Sequence, residues 1–94
     1  MLDGDDTLSS GSVPSPFAPP VKRSITIAGH QTAISLEPIF WEALKRAARE
    51  DGMPLNAMVA RIDVARIAMA DAPNLTSAIR CWLMSRSTDK NHSH

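Results

Sequence analysis

Few residues of this chain have the types and spacing that catalysis or metal binding requires. Among the 94 residues, His30 stands beside a glycine, His92 and His94 stand in a polar C-terminal segment, and Cys81 is the one cysteine. There is no nucleophile elbow, no HExxH pattern and no CxxC pair, and His30 has no acid nearby in sequence to support a general base. The sequence therefore predicts no enzyme, no catalytic residue, no metal site and no cofactor.

One short stretch, GHQTAISLEP over residues 29–38, has a regular alternation instead. It places a small or polar set on one side and a more apolar set on the other: Gln31, Ala33 and Ser35 against Thr32, Ile34 and Leu36. This period of two predicts a strand with one buried face. Such a strand needs a partner, because its backbone N–H and C=O groups must be hydrogen-bonded.

A partner strand within the chain is predicted just upstream, where KRSITIAG places Ile25 and Ile27 on one face. A two-residue type II′ turn at Gly29–His30 would join the strands, because glycine suits its first position. That hairpin would pair Ile27 with Thr32, Ile25 with Ile34, and Arg23 with Leu36, so that the apolar faces coincide. The second strand therefore has one possible partner inside its own chain.

Three helices are predicted after the strands, each with apolar residues at helical spacing. The first runs from Pro38 to about Asp51, the second from Pro54 or Leu55 to about Ala70, and the third from about Leu75 to Ser85. Gly52 and the Ala72–Pro73–Asn74 segment separate them. Cys81, in the third helix, is expected to be a small buried hydrophobe. The third helix either covers the core or docks a partner through Ile79, Trp82 and Leu83.

Composition divides the chain into a disordered arm over residues 1–21, a domain over residues 22–86 and a disordered tail over residues 87–94. The domain has nine Lys and Arg residues and six Asp and Glu residues, an excess of three positive charges. No apolar run approaches the length of about 18–20 residues that a membrane span needs. With no secretory signal recognised, the sequence predicts a cytoplasmic protein.

These elements resemble a known family. The stretches KRSITIAGHQTAISLEPIFWEAL, LNAMVARID and NLTSAIRCWL together are similar to the ribbon-helix-helix family of DNA-binding proteins, in particular a bacterial branch of short ribbon-helix-helix domain proteins. The resemblance covers residues 22–86. It implies a mainly α fold with a short β-ribbon: a ribbon-helix-helix dimer with an added N-terminal strand and a third C-terminal helix.

The resemblance also implies a site. In the family, strands of two chains pair into a ribbon that enters the major groove of double-stranded DNA, and the second helix binds a phosphate at its N-terminus. The resemblance thus gives the second strand a twin from another chain as an alternative partner, and both pairings together would build a four-stranded sheet. The matching base-contacting positions are Gln31, Ala33 and Ser35. The matching phosphate-contacting positions are Leu55 and Asn56, to which Lys22 and Arg23 are added as basic residues just upstream. The matching dimer core consists of Ile34, Leu36, Phe40, Leu44, Val59 and Ile62.

The implied function is that of a dimeric, sequence-specific DNA-binding protein, a transcriptional regulator or an antitoxin-like repressor. Gln31 can bond adenine through two hydrogen bonds, Ser35 can bond several bases, and Ala33 can touch a thymine methyl group. Because these three side chains offer few base-specific contacts, a second interpretation is kept: a dimeric protein-interaction module of the same fold that does not bind DNA. A protein partner is therefore expected as an alternative to DNA.

Overall fold

Two strands and three helices follow one another along the chain in the computed structural model, which describes residue 15 and residues 17–92, with side chains to residue 88. They are β1 (Val21–Ile27), β2 (His30–Leu36), α1 (Pro38–Glu50), α2 (Leu55–Ile67) and α3 (Leu75–His92). This order confirms the predicted fold of a short β-ribbon followed by three helices. The expected arm lies outside the described residues at positions 1–14 and 16.

The hairpin between β1 and β2 is confirmed, but its predicted register is wrong by two residues. Ile25 lies opposite Thr32, and Arg23 lies opposite Ile34. The reason is the position of the turn, which begins one residue earlier than expected, at Ala28. Because a shift of two residues returns every side chain to the same face of a strand, the predicted buried and exposed faces are preserved.

The turn itself is built by Ala28 and Gly29, whose φ angles are 52° and 82°. Two consecutive positive φ angles are the mark of a type I′ turn, whose twist matches the right-handed twist of the paired strands. The predicted type II′ turn is therefore wrong. Gly29 adopts such an angle at no steric cost, whereas Ala28 is the one non-glycine residue with positive φ in the described chain.

One face of the hairpin packs on the helices and forms the core. Helix α2 lies against β1, and α3 lies against β2. Every buried side chain in the described part of the chain is apolar, which matches a small domain held together by hydrophobic burial. The largest of the fully buried side chains are Trp41, Leu36, Leu44, Met58, Ile79 and Val59.

Trp41 connects α1 to the first strand. Its ring is 1% exposed, and its Nε1–H donates a hydrogen bond of 2.8 Å to the carbonyl oxygen of Val21. A buried indole needs such a partner, because an unpaired N–H removed from water is costly. The sequence pattern had placed Phe40 rather than Trp41 on the core stripe of α1; Phe40 is half-buried. The bond fixes the start of β1 on the helix.

The end of α1 is closed by a Schellman motif at Gly52, as its sequence position predicted. The N–H of Met53 donates to the carbonyl of Ala48 at 3.0 Å, and the N–H of Gly52 donates to that of Arg49 at 3.1 Å. Gly52 has a φ of 65°, which is the left-handed conformation that this cap requires. The motif reverses the chain and sends α2 back towards the sheet.

Helix α3 begins where the sequence predicted and ends later. The Oδ1 of Asn74 accepts a hydrogen bond of 2.8 Å from the N–H of Ser77, which confirms Asn74 as the N-terminal cap. The helix continues to His92 rather than Ser85, through most of the segment for which a disordered tail was expected. Arg86 anchors this continuation, since its guanidinium bonds the carboxylates of Glu50 and Asp51.

Two further expectations are corrected. Cys81 is exposed, because the helix turns it away from the side that buries Ile79 and Leu83. Helix α2 ends at Ile67, three residues before the expected Ala70. Of the three residues weighed for the third helix, Ile79 and Leu83 are buried in the core of the single chain, and Trp82 packs partly buried against that core.

The turn predicts a stabilising substitution. Ala28→Asn should raise the free energy of unfolding by about 0.5–1 kcal/mol, because asparagine tolerates positive φ better than alanine does. Urea unfolding followed by circular dichroism measures this change. Ala65→Asn on the exposed side of α2 is the matched control and should lower stability through helix propensity. A loss of stability in Ala28→Asn would contradict the turn assignment.

Because the Trp41 indole is buried, we expect substitution of the two tryptophans to lower the free energy of unfolding by different amounts. Trp41→Phe should lower the free energy of unfolding by about 1–3 kcal/mol, because it removes a buried hydrogen bond and leaves unfilled volume. Trp82→Phe, at a half-buried position, serves as the control and should cost less. Urea unfolding followed by circular dichroism measures the stability of both variants. Equal losses of stability would contradict the anchoring role of Trp41.

Candidate nucleic-acid interface

The second face of the hairpin points away from the helices and is made of small and polar side chains. We call this surface the polar face; it consists of Lys22, Ser24 and Thr26 of β1 and Gln31, Ala33 and Ser35 of β2. The register sets Lys22 opposite Ser35, Ser24 opposite Ala33, and Thr26 opposite Gln31. All of these residues are exposed except Ser35, which is half-buried. The three predicted base-contacting residues therefore do share one accessible surface.

Gln31 is held on this surface by a neighbour on the other strand. The hydroxyl of Ser24 donates a hydrogen bond of 2.7 Å to Oε1 of Gln31. Ser24 lies diagonally across the hairpin from Gln31, a distance that a long side chain can span. The bond leaves both N–H groups of the amide and one lone pair of Oε1 available, because an amide oxygen accepts two hydrogen bonds.

The two basic residues at the start of β1 lie on opposite faces. Lys22 is on the polar face, beside Ser35. Arg23 is exposed at the margin of the packed face, with its guanidinium 5.2 Å from the centroid of the Trp41 ring. Stacking on an aromatic ring holds the arginine in place while its N–H groups remain available. Both residues stay predictions as phosphate contacts, and only Lys22 shares the surface of Gln31.

The predicted phosphate site at the start of α2 has backbone donors but no side-chain cap. Pro54 precedes the helix and provides no capping hydrogen bond, and the first helical bond runs from the N–H of Met58 to the carbonyl of Pro54 at 3.1 Å. The N–H groups of the first turn therefore lack partners within the helix. Leu55 is half-buried and Asn56 is exposed.

The residues expected in the dimer core are located in the core of the single chain. All of them are buried except Phe40, which is half-buried beneath the guanidinium of Arg80 at 5.6 Å. They are Ile34, Leu36, Phe40, Leu44, Val59 and Ile62. Their burial needs no second chain, so a role at a dimer interface remains a prediction.

Glu37, at the junction of β2 and α1, is tied to the third helix. Its two carboxylate oxygens accept hydrogen bonds from the guanidinium of Arg80 at 2.9–3.2 Å. The pKa of Glu37 is lowered, first by its own backbone N–H and then by Arg80. The pair fixes the end of β2 relative to α3, on which the sheet rests.

The basic residues fall into two groups. Those bound in ion pairs are Lys45, Arg61, Arg66, Arg80 and Arg86. Arg86 is the most firmly held, and Asp51 and then Glu50 raise its pKa. Within residues 17–88, the structure shows no ion pair for Lys22, Arg23, Arg46 or Arg49. These cations remain available to an anionic partner without first leaving a carboxylate.

Comparison with known proteins identifies the family. The family model described as "Ribbon-helix-helix domain" matches residues 20–87, which is most of the chain. The protein therefore belongs to the ribbon-helix-helix domain family. No curated protein matches the sequence.

A solved structure supports the same fold. An uncharacterized protein from Bordetella pertussis Tohama I superimposes with a TM-score of 0.65 at 26% identity, covering 77% of this chain. The chain spans 58% of the length of that protein.

Other kinds of site are not found in the part of the chain that the structure describes. No three His, Cys, Asp or Glu side chains there lie close enough together to hold a metal ion. None of the described helices combines the length and apolarity needed to cross a membrane.

Sequence reasoning missed the contribution of β1 to the polar face. The alternation of Ser24 and Thr26 with Ile25 and Ile27 is visible in the sequence and predicts their exposure. It does not show which residue of β2 each one meets, because the register depends on the turn. The Glu37–Arg80 pair was missed as well, since 43 positions separate its members.

The Glu37–Arg80 pair predicts a pH dependence of stability. A lowered folded-state pKa stabilises the fold above the ordinary value of 4.5, and this contribution is lost as the pH falls through the folded-state value. The wild type should therefore be more stable than Glu37→Gln at pH 7, and the difference should shrink below pH 4.5. Urea unfolding at several pH values measures it, with Asp71→Asn as an exposed control. A difference that stays constant down to pH 3 would contradict the pair's role.

Proposed function

We propose that this protein is a dimeric, sequence-specific DNA-binding protein that acts as a transcriptional regulator or an antitoxin-like repressor in the cytoplasm of a bacterium. The observation that supports this most is the polar face: an exposed, two-stranded surface with an amide, hydroxyl groups and an ammonium group that has no ion pair within residues 17–88. Ribbon-helix-helix proteins are generally DNA-binding regulators and usually dimers.

The chemistry of the polar face suits the major groove. The amide of Gln31 can pair with adenine N6 and N7, Ser35 can bond several bases, and Ala33 can contact a thymine methyl group. Hydroxyl groups on β1 add bonding capacity beside them. A single good bidentate contact discriminates by about 1–3 kcal/mol, so specificity would be the sum of a few such contacts in two half-sites.

The dimer is proposed to form through the open edge of β2. Within the described chain, β2 pairs with β1 alone, so its other edge can pair antiparallel with the β2 of a second copy. Four strands at a spacing of about 4.8 Å span about 14 Å between the outer strands, slightly more than the ~12 Å major groove. The two β2 strands would then lie in the groove, and the β1 strands would lie at its rims.

Phosphate contacts complete the proposal. At the rim, Lys22 is placed to meet the DNA backbone, and Arg23 extends this basic margin. The N–H groups at the start of α2, at Leu55 and Asn56, favour an anion because the positive end of the helix dipole lies there. Such contacts orient a protein on the duplex without depending on sequence.

Titration of the dimer against DNA tests the proposal. Wild-type protein is titrated by fluorescence anisotropy onto duplexes selected from a random library, at several salt concentrations. Log affinity should fall linearly with log salt concentration. Gln31→Ala should weaken the selected site by about 1–3 kcal/mol and spare non-specific binding, whereas Lys22→Ala should weaken all duplexes and reduce the salt slope by about 1.

Ser85→Ala, on the exposed side of α3, is the matched control and should behave as the wild type does. A folded dimer that binds no duplex at low salt would refute the proposal. If Gln31→Ala lowered affinity equally for every sequence, Gln31 would be a backbone contact rather than a base contact.

One observation favours the second candidate, a dimeric protein-interaction module that does not bind DNA. Val64 and Ile67 lie on the outer side of α2 and are 65% and 59% exposed, and Met69 just beyond the helix is 57% exposed. Exposed apolar clusters are typical of protein contacts. A stoichiometric protein partner that is lost in Ile67→Asp and kept in Arg61→Ala, together with no DNA binding, would establish this function instead.

A further inference from the structure

We infer that Ser24 is a positioning residue for adenine readout: its hydroxyl orients the amide of Gln31 for bidentate pairing with an adenine base. This inference rests on the proposed function and deepens it, because it assigns a role in specificity to the added strand β1. The observation behind it is the 2.7 Å hydrogen bond from Ser24 Oγ to Gln31 Oε1.

The bond selects one of two orientations of the amide. The terminal torsion of glutamine is broad and roughly two-fold, so a free Gln31 can exchange the positions of its oxygen and nitrogen. In the orientation that the structure shows, the hydroxyl donates to the oxygen, so the oxygen lies on the side of Ser24 and the nitrogen points away. Adenine presents an N6–H donor next to the N7 acceptor. Held by Ser24, Gln31 offers the matching acceptor and donor in a fixed order.

Fixing the amide before contact is favourable for binding. Immobilising a glutamine side chain opposes association, and a side chain that is already oriented loses less freedom on binding. In free solution the Ser24–Gln31 bond is exposed and competes with water. Where β1 lies against the rim of the groove, contact with DNA displaces water from this bond, and the same hydrogen bond becomes stronger. Ser24 therefore has its largest effect on the orientation of Gln31 when Gln31 is in contact with a base.

Thr26 provides an internal comparison. It also has a hydroxyl group and lies directly opposite Gln31, yet the hydrogen bond to the Gln31 amide comes from Ser24. Both residues therefore have a hydroxyl group and lie close to Gln31, and they differ in that Ser24 makes the hydrogen bond. Replacement of either hydroxyl residue by valine changes the polar face to a similar degree.

The experiment compares Ser24→Thr, Ser24→Val and Thr26→Val in the full-length dimer. Duplexes selected by the wild type are varied at the base pair whose preference Gln31→Ala abolishes, and each is titrated by anisotropy. Ser24→Val should lose about three- to ten-fold of the discrimination in favour of adenine, the equivalent of one hydrogen bond. Ser24→Thr retains the hydroxyl and should keep the discrimination, and Thr26→Val should keep it as well.

Readouts other than affinity exclude a merely structural role. Threonine and valine both favour strands, so urea unfolding should show that both Ser24 variants are folded; Ser24→Ala serves as a second hydroxyl-free variant. Affinity for unselected DNA should be equal in all variants. Full discrimination in Ser24→Val and Ser24→Ala, or its loss in Ser24→Thr or Thr26→Val, would overturn this inference alone. Absence of DNA binding by the wild type would instead overturn the proposed function, and this inference with it.

Discussion

The pairing of β1 with β2 is the constraint on which the rest of this small structure depends. It joins two strands that each have one apolar side, and it places those sides against the helices together. A single strand of this length could supply only Ile34 and Leu36 to the core, and the hairpin adds Ile25 and Ile27. Four buried strand residues give the helices a continuous surface to cover, so a chain of 94 residues assembles a core of its own.

Two polar contacts orient the hairpin on that core, one at each end of the hairpin. The indole of Trp41 holds the backbone at Val21, where β1 begins. The carboxylate of Glu37 holds Arg80 of α3, just after β2 ends. Apolar packing has no preferred direction, whereas hydrogen bonds do. Together they fix the angle at which the polar face is presented, which any groove-binding surface must control.

Much of this architecture could be predicted from the sequence, because it follows from short-range patterns. Alternation indicated both strands and their buried sides, and Gly52 and Asn74 marked helix ends through local backbone geometry. The register could not be predicted, because Ala28 was not expected to adopt a positive φ angle. Cys81 was misplaced for a related reason: an apolar stretch of helix does not show which of its sides is covered until the neighbouring helices are located.

The candidate site, like the fold, could be predicted from the sequence only in part. The exposure of Gln31, Ala33 and Ser35 followed from alternation, and the family supplied the roles proposed for them. The partners on β1 required the register, and the contact between Ser24 and Gln31 required the side chains themselves. The proposed assembly of two chains depends on the unpaired edge of β2, and the sequence of one chain does not show what that edge pairs with.

The separation of the two faces of the hairpin has a consequence for how such a protein can diversify. The polar face includes none of the buried core residues and none of the residues of the two orienting contacts, so replacement of its residues changes surface chemistry at little cost in folding free energy. A lineage could therefore exchange these residues, one codon at a time, and drift towards different targets while its scaffold persists. The packed face and the polar face occupy alternate positions of the same fourteen strand residues.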